Sequence, residues 1–390
     1  MHWHRLGELL GRVLPHQRVS QKAIPVADLA LGFLAGILAG AQKLTPVAQR
    51  RREVLPPELL ALARVGRQSS FTRFFQGFDR AGKNWRAFRP LWRGAMERLP
   101  GRQGGYSLDV DSTRLLHEDG HQAGGQTGDT RLGNKPCLPP LLAVLEEAKL
   151  VAGFWRRVVR ADSGFCLAER RDLLEQQGLR SIVVARPLKP WQRWLQQEPL
   201  WTARAVPGTD VAAVWPQEIN WRSPRRVILI RHHVAEKERP GGKRLVDCPG
   251  YLYQAPVTNR PQGVRPLEVW RDYNGRAGCE GVIKQLDADF ALPKLCLQKF
   301  WGTEAGLSLA VFSCNLCVLF QRHVGWMDRV RAATLRYRLF TTGGIISQTG
   351  GVTTIRLAVR EESERAWWRR LLEKIQSPVP HCNAVPALPW

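Results

Sequence analysis

A mixed α/β sheet with helices packed on it is the fold class predicted for this 390-residue chain, on three observations. Gly105 to Thr113 alternates apolar and acidic side chains with the period of a strand. Phe154 to Asp162 is a second strand, with β-branched residues ahead of a closing acid, and Arg180 to Arg186 is a third. Helical stretches separate them, which gives a β-α-β-α-β order.

Residues 1–103 read as a helical, increasingly basic region. Pro25 to Leu38 carries apolar residues at helical spacing, and Pro56 to Ala63 sets proline at a helix start; Arg50, Arg51 and Arg52 lie between them. Gln68 to Phe75 places the hydroxyls of Ser69 and Ser70 ahead of a helix bearing Arg73. That is either a capped surface helix or one whose N-terminus meets phosphate oxygens. Lys83, Arg86, Arg89 and Arg93 then share one helical face, with Trp85, Phe88, Leu91 and Trp92 largely on the other. Such a face suits phosphate and specifies no base sequence.

Residues 104–186 hold the three strands. In the first, period-two alternation puts Asp109 and Asp111 on one face and Leu108 and Val110 on the other. Adjacent carboxylates repel and are costly to bury, so the strand is either an edge with a solvated face or half of a cation site. Gly120 to Gly128 reads as a loop, with His117 and His121 as solvated neighbours of the acids. Pro136 to Lys149 predicts a helix whose apolar face is Leu141, Leu142, Leu145 and Ala148. Ser163 opens a helix running through Leu173 and Leu174 to Gly178, so Asp162 closes a strand where α/β folds place their chemistry.

Residues 187–266 form a β-rich insertion, in which proline and glycine punctuate short strands such as Arg225 to Arg231 and Gly250 to Tyr253. Its tryptophans, Trp191, Trp194, Trp201, Trp215 and Trp221, either pack a small β module or stack on unpaired bases. Residues 267–330 return to the core with a long helix expected from Asp272 to Phe290. Tyr273, Arg276, Glu280, Lys284 and Asp287 share its polar face, and Cys279, Ile283, Leu286 and Phe290 its apolar one. Residues 331–390 are a C-terminal region suited to dimerisation.

Lys and Arg number 58 against 34 Asp and Glu, a formal charge of +24, which points to a polyanionic partner. The most apolar stretches are Ile24 to Ala41, with Asp28 and three glycines, and Ala305 to Phe320, with Ser308, Ser313 and Asn315. Both read as buried helices rather than membrane spans. Met1 to Arg5 opens no signal peptide, so the expected setting is the cytoplasm, away from membrane and acting on DNA or RNA. Of eight cysteines only Cys314 and Cys317 have metal-like spacing; in an apolar run they read as small hydrophobes of a reduced protein.

An acid on a first strand, an acid closing a later one and a glutamate on a helix beyond a β-rich insertion is the order of an RNase H-like phosphoryl-transfer core. Two divalent ions about 3.5–4 Å apart need carboxylates from separate elements converging on one point. Leu108-Asp109-Val110-Asp111-Ser112-Thr113, Arg160-Ala161-Asp162-Ser163-Gly164-Phe165, Tyr273-x-x-Arg276-x-x-x-Glu280 with Ile283-Lys284, and Thr334-Leu335-Arg336 carry a further resemblance. On these the chain resembles the DDE transposases of bacterial insertion sequences, within the IS4-like group and most similar to the IS1380 family.

The resemblance implies an RNase H-like core behind a helical N-terminal DNA-binding region. It implies Asp111, Asp162 and Glu280 as catalytic ligands of Mg2+, or Mn2+, with Asp111 preferred to Asp109 because a hydroxyl residue follows it closely. Tyr273, Arg276 and Lys284 would contact phosphates of the element end, and Arg73, Arg86 and Arg89 further DNA. The expected activity is metal-dependent cleavage of double-stranded DNA at terminal inverted repeats and strand transfer into target DNA, by a homodimer on DNA. One position departs from the pattern: Asp287 stands where the IS4-like signature has a lysine. A structure-selective RNase H-like DNA nuclease and a catalytically decayed, transposase-derived DNA-binding protein are the alternatives.

Overall fold

A computed structural model describes residues 3–15, 20, 22–49, 62, 64–101, 106–116, 125–130, 133–151, 158–162, 166–176, 178–185, 195, 201–216, 221, 224–234, 250–290, 292–295, 297, 299–326 and 330–378. In chain order the helices α1 (Trp3–Val13), α2 (Val26–Leu38), α3 (Leu44–Gln49), α4 (Gln68–Gln76) and α5 (Ala81–Met96) precede β1 (Ser107–Ser112). β2 (Leu115–Leu116), β3 (Gln126–Thr130), β4 (Gly133–Leu138), β5 (Leu141–Leu145), β6 (Leu150–Val151) and β7 (Val158–Ala161) follow. Then come α6 (Ala168–Gln176), β8 (Arg180–Val184), β9 (Thr202–Val206), β10 (Thr209–Val214), β11 (Arg226–His233), β12 (Tyr251–Gln254) and β13 (Pro256–Thr258). The last part holds α7 (Pro266–Asn274), α8 (Ala277–Asp289), α9 (Phe300–His323), α10 (Ala332–Phe340), β14 (Gly344–Thr349), β15 (Val352–Leu357) and α11 (Glu362–Gln376).

The chain divides into two units, one of residues 102–112 and 141–282, the other of residues 1–101, 113–140 and 283–390. The first is built on a mixed sheet in the order β6-β5-β1-β7-β8-β13-β11-β10-β9, with β12 paired to β11. β1 lies between antiparallel β5 and parallel β7, with Asp109 in register with Arg160, and β7 continues in parallel to β8. The strands of the β-rich stretch extend this sheet through the β8–β13 pair rather than standing apart. β11 shows why: Val227 and Leu229 join one buried cluster, while Ile228 and Ile230 join another with Val269 and Trp270 of α7. A strand covered on both faces reads as a continuous apolar run and belongs in the interior of a sheet.

In the second unit α9 packs against α2, α4 and α5. Its apolar residues are what fill the core there, and Phe33 of α2 meets Phe75 of α4 edge-on at 5.0 Å. α9 is long and apolar enough to cross a membrane, but 72% of its most apolar window is buried inside the protein. Cys314 and Cys317 lie buried on it as small apolar side chains.

Four expectations are corrected. Pro136 to Lys149 is no helix but the end of β4, then β5 and a turn. Pro139 and Pro140 cannot sit in a helix interior, and pairing with β1 satisfies the backbone that follows them. The helix expected from Asp272 to Phe290 is two, α7 and α8, broken at Gly275 and Arg276, where Arg276, Gly278 and Cys279 bond back only three residues. Trp85 does not lie opposite the cations; it is 49% exposed and carries the Arg89 guanidinium 5.7 Å from its ring centroid. Part of the expected 120–128 loop is the start of β3, which is held by β4. Residues 50–61 and 63, with Arg50 to Arg52 and nearly all of the helix expected over 56–63, lie outside the described residues. So do His117, His121, the Phe154 to Arg157 half of the second strand, Ser163 to Phe165, Arg186, Trp191 and Trp194.

Candidate active site

β1, the end of β7, and the junction of α7 and α8 carry the expected acids, all within the sheet unit. Period-two alternation aims Asp109 and Asp111 to one side of β1, but the two have different partners. Asp109 is fully buried, and both its oxygens accept from Arg160, Nε at 2.5 Å and Nη2 at 2.9 Å. Burial pushes the Asp109 carboxyl up to about 6, and Arg160 holds it down from a higher value still. Asp111 stays nearer solvent, accepts from the backbone amide of Ser112 at 2.8 Å, and pairs with Arg276 Nη1 at 2.8 Å.

Arg276 is the hinge of the arrangement. Its other terminal nitrogen reaches Glu280 at 3.3 Å, so one guanidinium bridges an acid of β1 and an acid of the first turn of α8. The guanidinium also lies 5.8 Å from the centroid of the Tyr273 ring. Burial pushes the Tyr273 hydroxyl above the ordinary tyrosine range; the Asp162 and Asp111 charges add to the rise, and Arg276 offsets part of it. Asp162 therefore acts electrostatically on the same tyrosine that Arg276 faces. Tyr273 keeps its proton and remains a hydrogen-bond donor.

Two glycines let α8 start this close to the sheet. A Cβ at Gly275 would lie 2.5 Å from Arg160 Nη1, and one at Gly278 would meet the Glu146 carboxylate and the Lys149 amine. Cys279 is buried beneath this turn, and burial pushes its thiol up to about 12.

The structure thus brings Asp111, Arg276, Glu280 and Tyr273 together, and the Asp162 charge acts on Tyr273. Lys284 is exposed one turn beyond Glu280. Asp287 accepts from the Thr113 hydroxyl at 3.5 Å. Arg73 and Arg86 are exposed on α4 and α5 of the helical unit and Arg89 is half-buried; Lys83 and Arg93 on α5 are each paired, with Asp79 and Glu97 at 2.8 Å. Sequence reasoning missed Arg160, Gly275 and the Asp109 pairing. A signal was present: Arg160 precedes Asp162 by the same two residues that separate Asp109 from Asp111.

Among the described residues no three His, Cys, Asp or Glu side chains stand close enough to hold a metal ion as placed. The donor chemistry nevertheless fits magnesium or manganese. Carboxylate oxygens from separate elements are the ligands these ions take, and two of the three already gather on one positive charge, Arg276. A family model described as transposase DDE domain, group 1, matches residues 133–379, a span that includes Asp162, Arg276 and Glu280 and begins after Asp111. No curated protein matches the chain.

Proposed function

The chain belongs to the transposase DDE domain family, group 1, and from that premise we propose that it cuts an insertion sequence at its terminal inverted repeats and joins the freed ends to target DNA. The observation that carries the reading is the Arg276 bridge, which sets Asp111 and Glu280 around a single cation beside Tyr273. In this reading Asp111, Asp162 and Glu280 hold Mg2+ or Mn2+. Asp111 is favoured over Asp109 because both oxygens of Asp109 are engaged by Arg160. A bound divalent ion would supply the charge that lowers the pKa of an attacking water or 3′-hydroxyl and steadies the leaving oxygen.

The remaining roles fall to the chain's own groups. Arg276 and Lys284 offset phosphate charge, and the protonated Tyr273 hydroxyl donates to a phosphate oxygen. Arg73, Arg86 and Arg89 hold flanking duplex DNA through its backbone, without reading its sequence. The setting is the nucleoid, with two copies on DNA so that both element ends are held, and the relationship is to the IS4-like elements, IS1380 among them. The departing position has a contact of its own inside the fold, the Asp287 carboxylate lying 3.5 Å from the Thr113 hydroxyl.

Asp162→Ala and Glu280→Ala, assayed on a plasmid carrying the element ends with Mg2+, should each reduce cleavage to background; full activity in either variant would sink the assignment. Scoring joined products beside cleaved ones separates a transposase from a nuclease that only hydrolyses.

A further inference from the structure

A buried strut ties together the three elements that carry the candidate acids. Arg160 sits in register with Asp109 across the parallel β1–β7 pair, two residues before Asp162, as Asp109 is two residues before Asp111. Its side chain is 5% exposed and its partner's 0%. Two of its nitrogens are spent on Asp109, and the third, Nη1, donates to the backbone carbonyl of Asp272 in the last turn of α7. That carbonyl immediately precedes Tyr273 and the break from which Arg276 and Glu280 project. The guanidinium reaches it because residue 275 has no side chain: a Cβ there would lie 2.5 Å from Nη1.

A planar fork of fixed geometry is the side chain that can hold a carboxylate with two donors and a carbonyl with a third. One rigid group therefore sets β1, β7 and the α7–α8 junction against one another, at the positions from which Asp111, Asp162 and Arg276 with Glu280 extend. We infer that Arg160, with Asp109 and Gly275, is a positioning residue that holds the acids in the spacing needed to bind a divalent cation. The inference rests on the reading of Asp111, Asp162 and Glu280 as the metal ligands.

Stability alone is separable from positioning. Replacing a buried ion pair by apolar side chains of similar volume is often neutral or stabilising, so Asp109→Leu/Arg160→Met should keep the melting temperature of the parent while losing the carbonyl anchor. Gly275→Ala is a second probe. Its backbone, at φ −55 and ψ −21, accepts alanine, and the added methyl pushes on the guanidinium while leaving both charges in place.

The measurement is Mn2+ binding to the full chain at millimolar metal, by electron paramagnetic resonance, with circular dichroism to confirm folding. Both variants should bind Mn2+ roughly tenfold or more weakly than the parent, the scale on which groups behind the ligands tune a metal site. A folded double variant with parental Mn2+ affinity overturns the strut. If that variant does not fold, Gly275→Ala decides alone, and parental affinity in it is equally fatal. Asp111→Asn and Glu280→Gln are the control arm. Loss of Mn2+ binding in these, with retention in the strut variants, rejects the strut only. Parental binding in the controls, or a parent that binds no Mn2+, rejects the ligand assignment and the strut with it.

Discussion

Asp109 and Asp111 are one strand position pair, and what distinguishes them is the partner each meets across the sheet. Asp109 neutralises a buried guanidinium, whereas Asp111 shares Arg276 with Glu280 nearer the solvent. Removing one member of a fully buried ion pair leaves the other charged and unpaired, which costs about 3–5 kcal/mol. Asp109→Ala should lower unfolding free energy by that amount in urea titration, while Asp111→Ala costs clearly less. Equal losses in the two variants would contradict the burial contrast. The acidic face was legible from alternation alone. Which of its two carboxylates is taken was not, because the deciding residue lies 51 positions downstream and reaches Asp109 only through strand register.

At the scale of elements, the basic face of α5 is partly satisfied by the acids that flank it. Lys83 pairs with Asp79 and Arg93 with Glu97, and the Arg89 guanidinium lies by the exposed Trp85. The reading of α5 as a phosphate surface therefore rests on its middle turns. Arg86→Glu combined with Arg89→Glu should weaken binding to duplexes of unrelated sequence alike, and reduce the slope of log affinity against log salt by about 1–2. Fluorescence anisotropy across a salt series tests this, and an unchanged slope would remove α5 from the DNA interface. The two long apolar stretches, read as buried helices over 24–41 and 305–320, are α2 and α9, both largely buried. Where the sequence misled, at residues 136–149, the leucine spacing suited either a helix or a buried strand, and pairing with β1 decided between them.

For the molecule as a whole, an excess of 24 positive charges favours a polyanion and opposes self-association, so any contact between copies must rely on apolar surface. Such surface is concentrated near the C-terminus. Ile345 is 70% exposed, Val352 64% and Ile355 50%, on a two-stranded hairpin of β14 and β15, with Tyr337 at 72% just before it. The register puts Ile346, 39% exposed, beside Ile355 on one face and Ile345 with Val352 on the other; an isolated hairpin is marginal in water unless an apolar face is covered, which accords with the proposed homodimer. Ile346→Lys with Ile355→Lys, a cross-strand pair on one face of the hairpin, should shift the chain from dimer to monomer in size-exclusion chromatography with light scattering, without lowering its melting temperature. A dimer that survives both substitutions would place the contact elsewhere.

Local pattern alone determined that this chain has an acidic strand, a second acid at a strand end, a Tyr-Arg-Glu series at helical spacing and an apolar helix near residue 310, because alternation and periodicity are properties of neighbouring residues. Tertiary structure decided the rest. The parallel register of β1 and β7 sets Arg160 on Asp109 and leaves Asp111 for Arg276. The same guanidinium, fitting against Gly275, stands where one expected helix becomes two. Pairing of β8 with β13 carries the β-rich stretch into the central sheet. Each of these joins residues far apart in the chain, and which distant strands meet, and in what register, is chosen by the burial of whole faces rather than by any local preference.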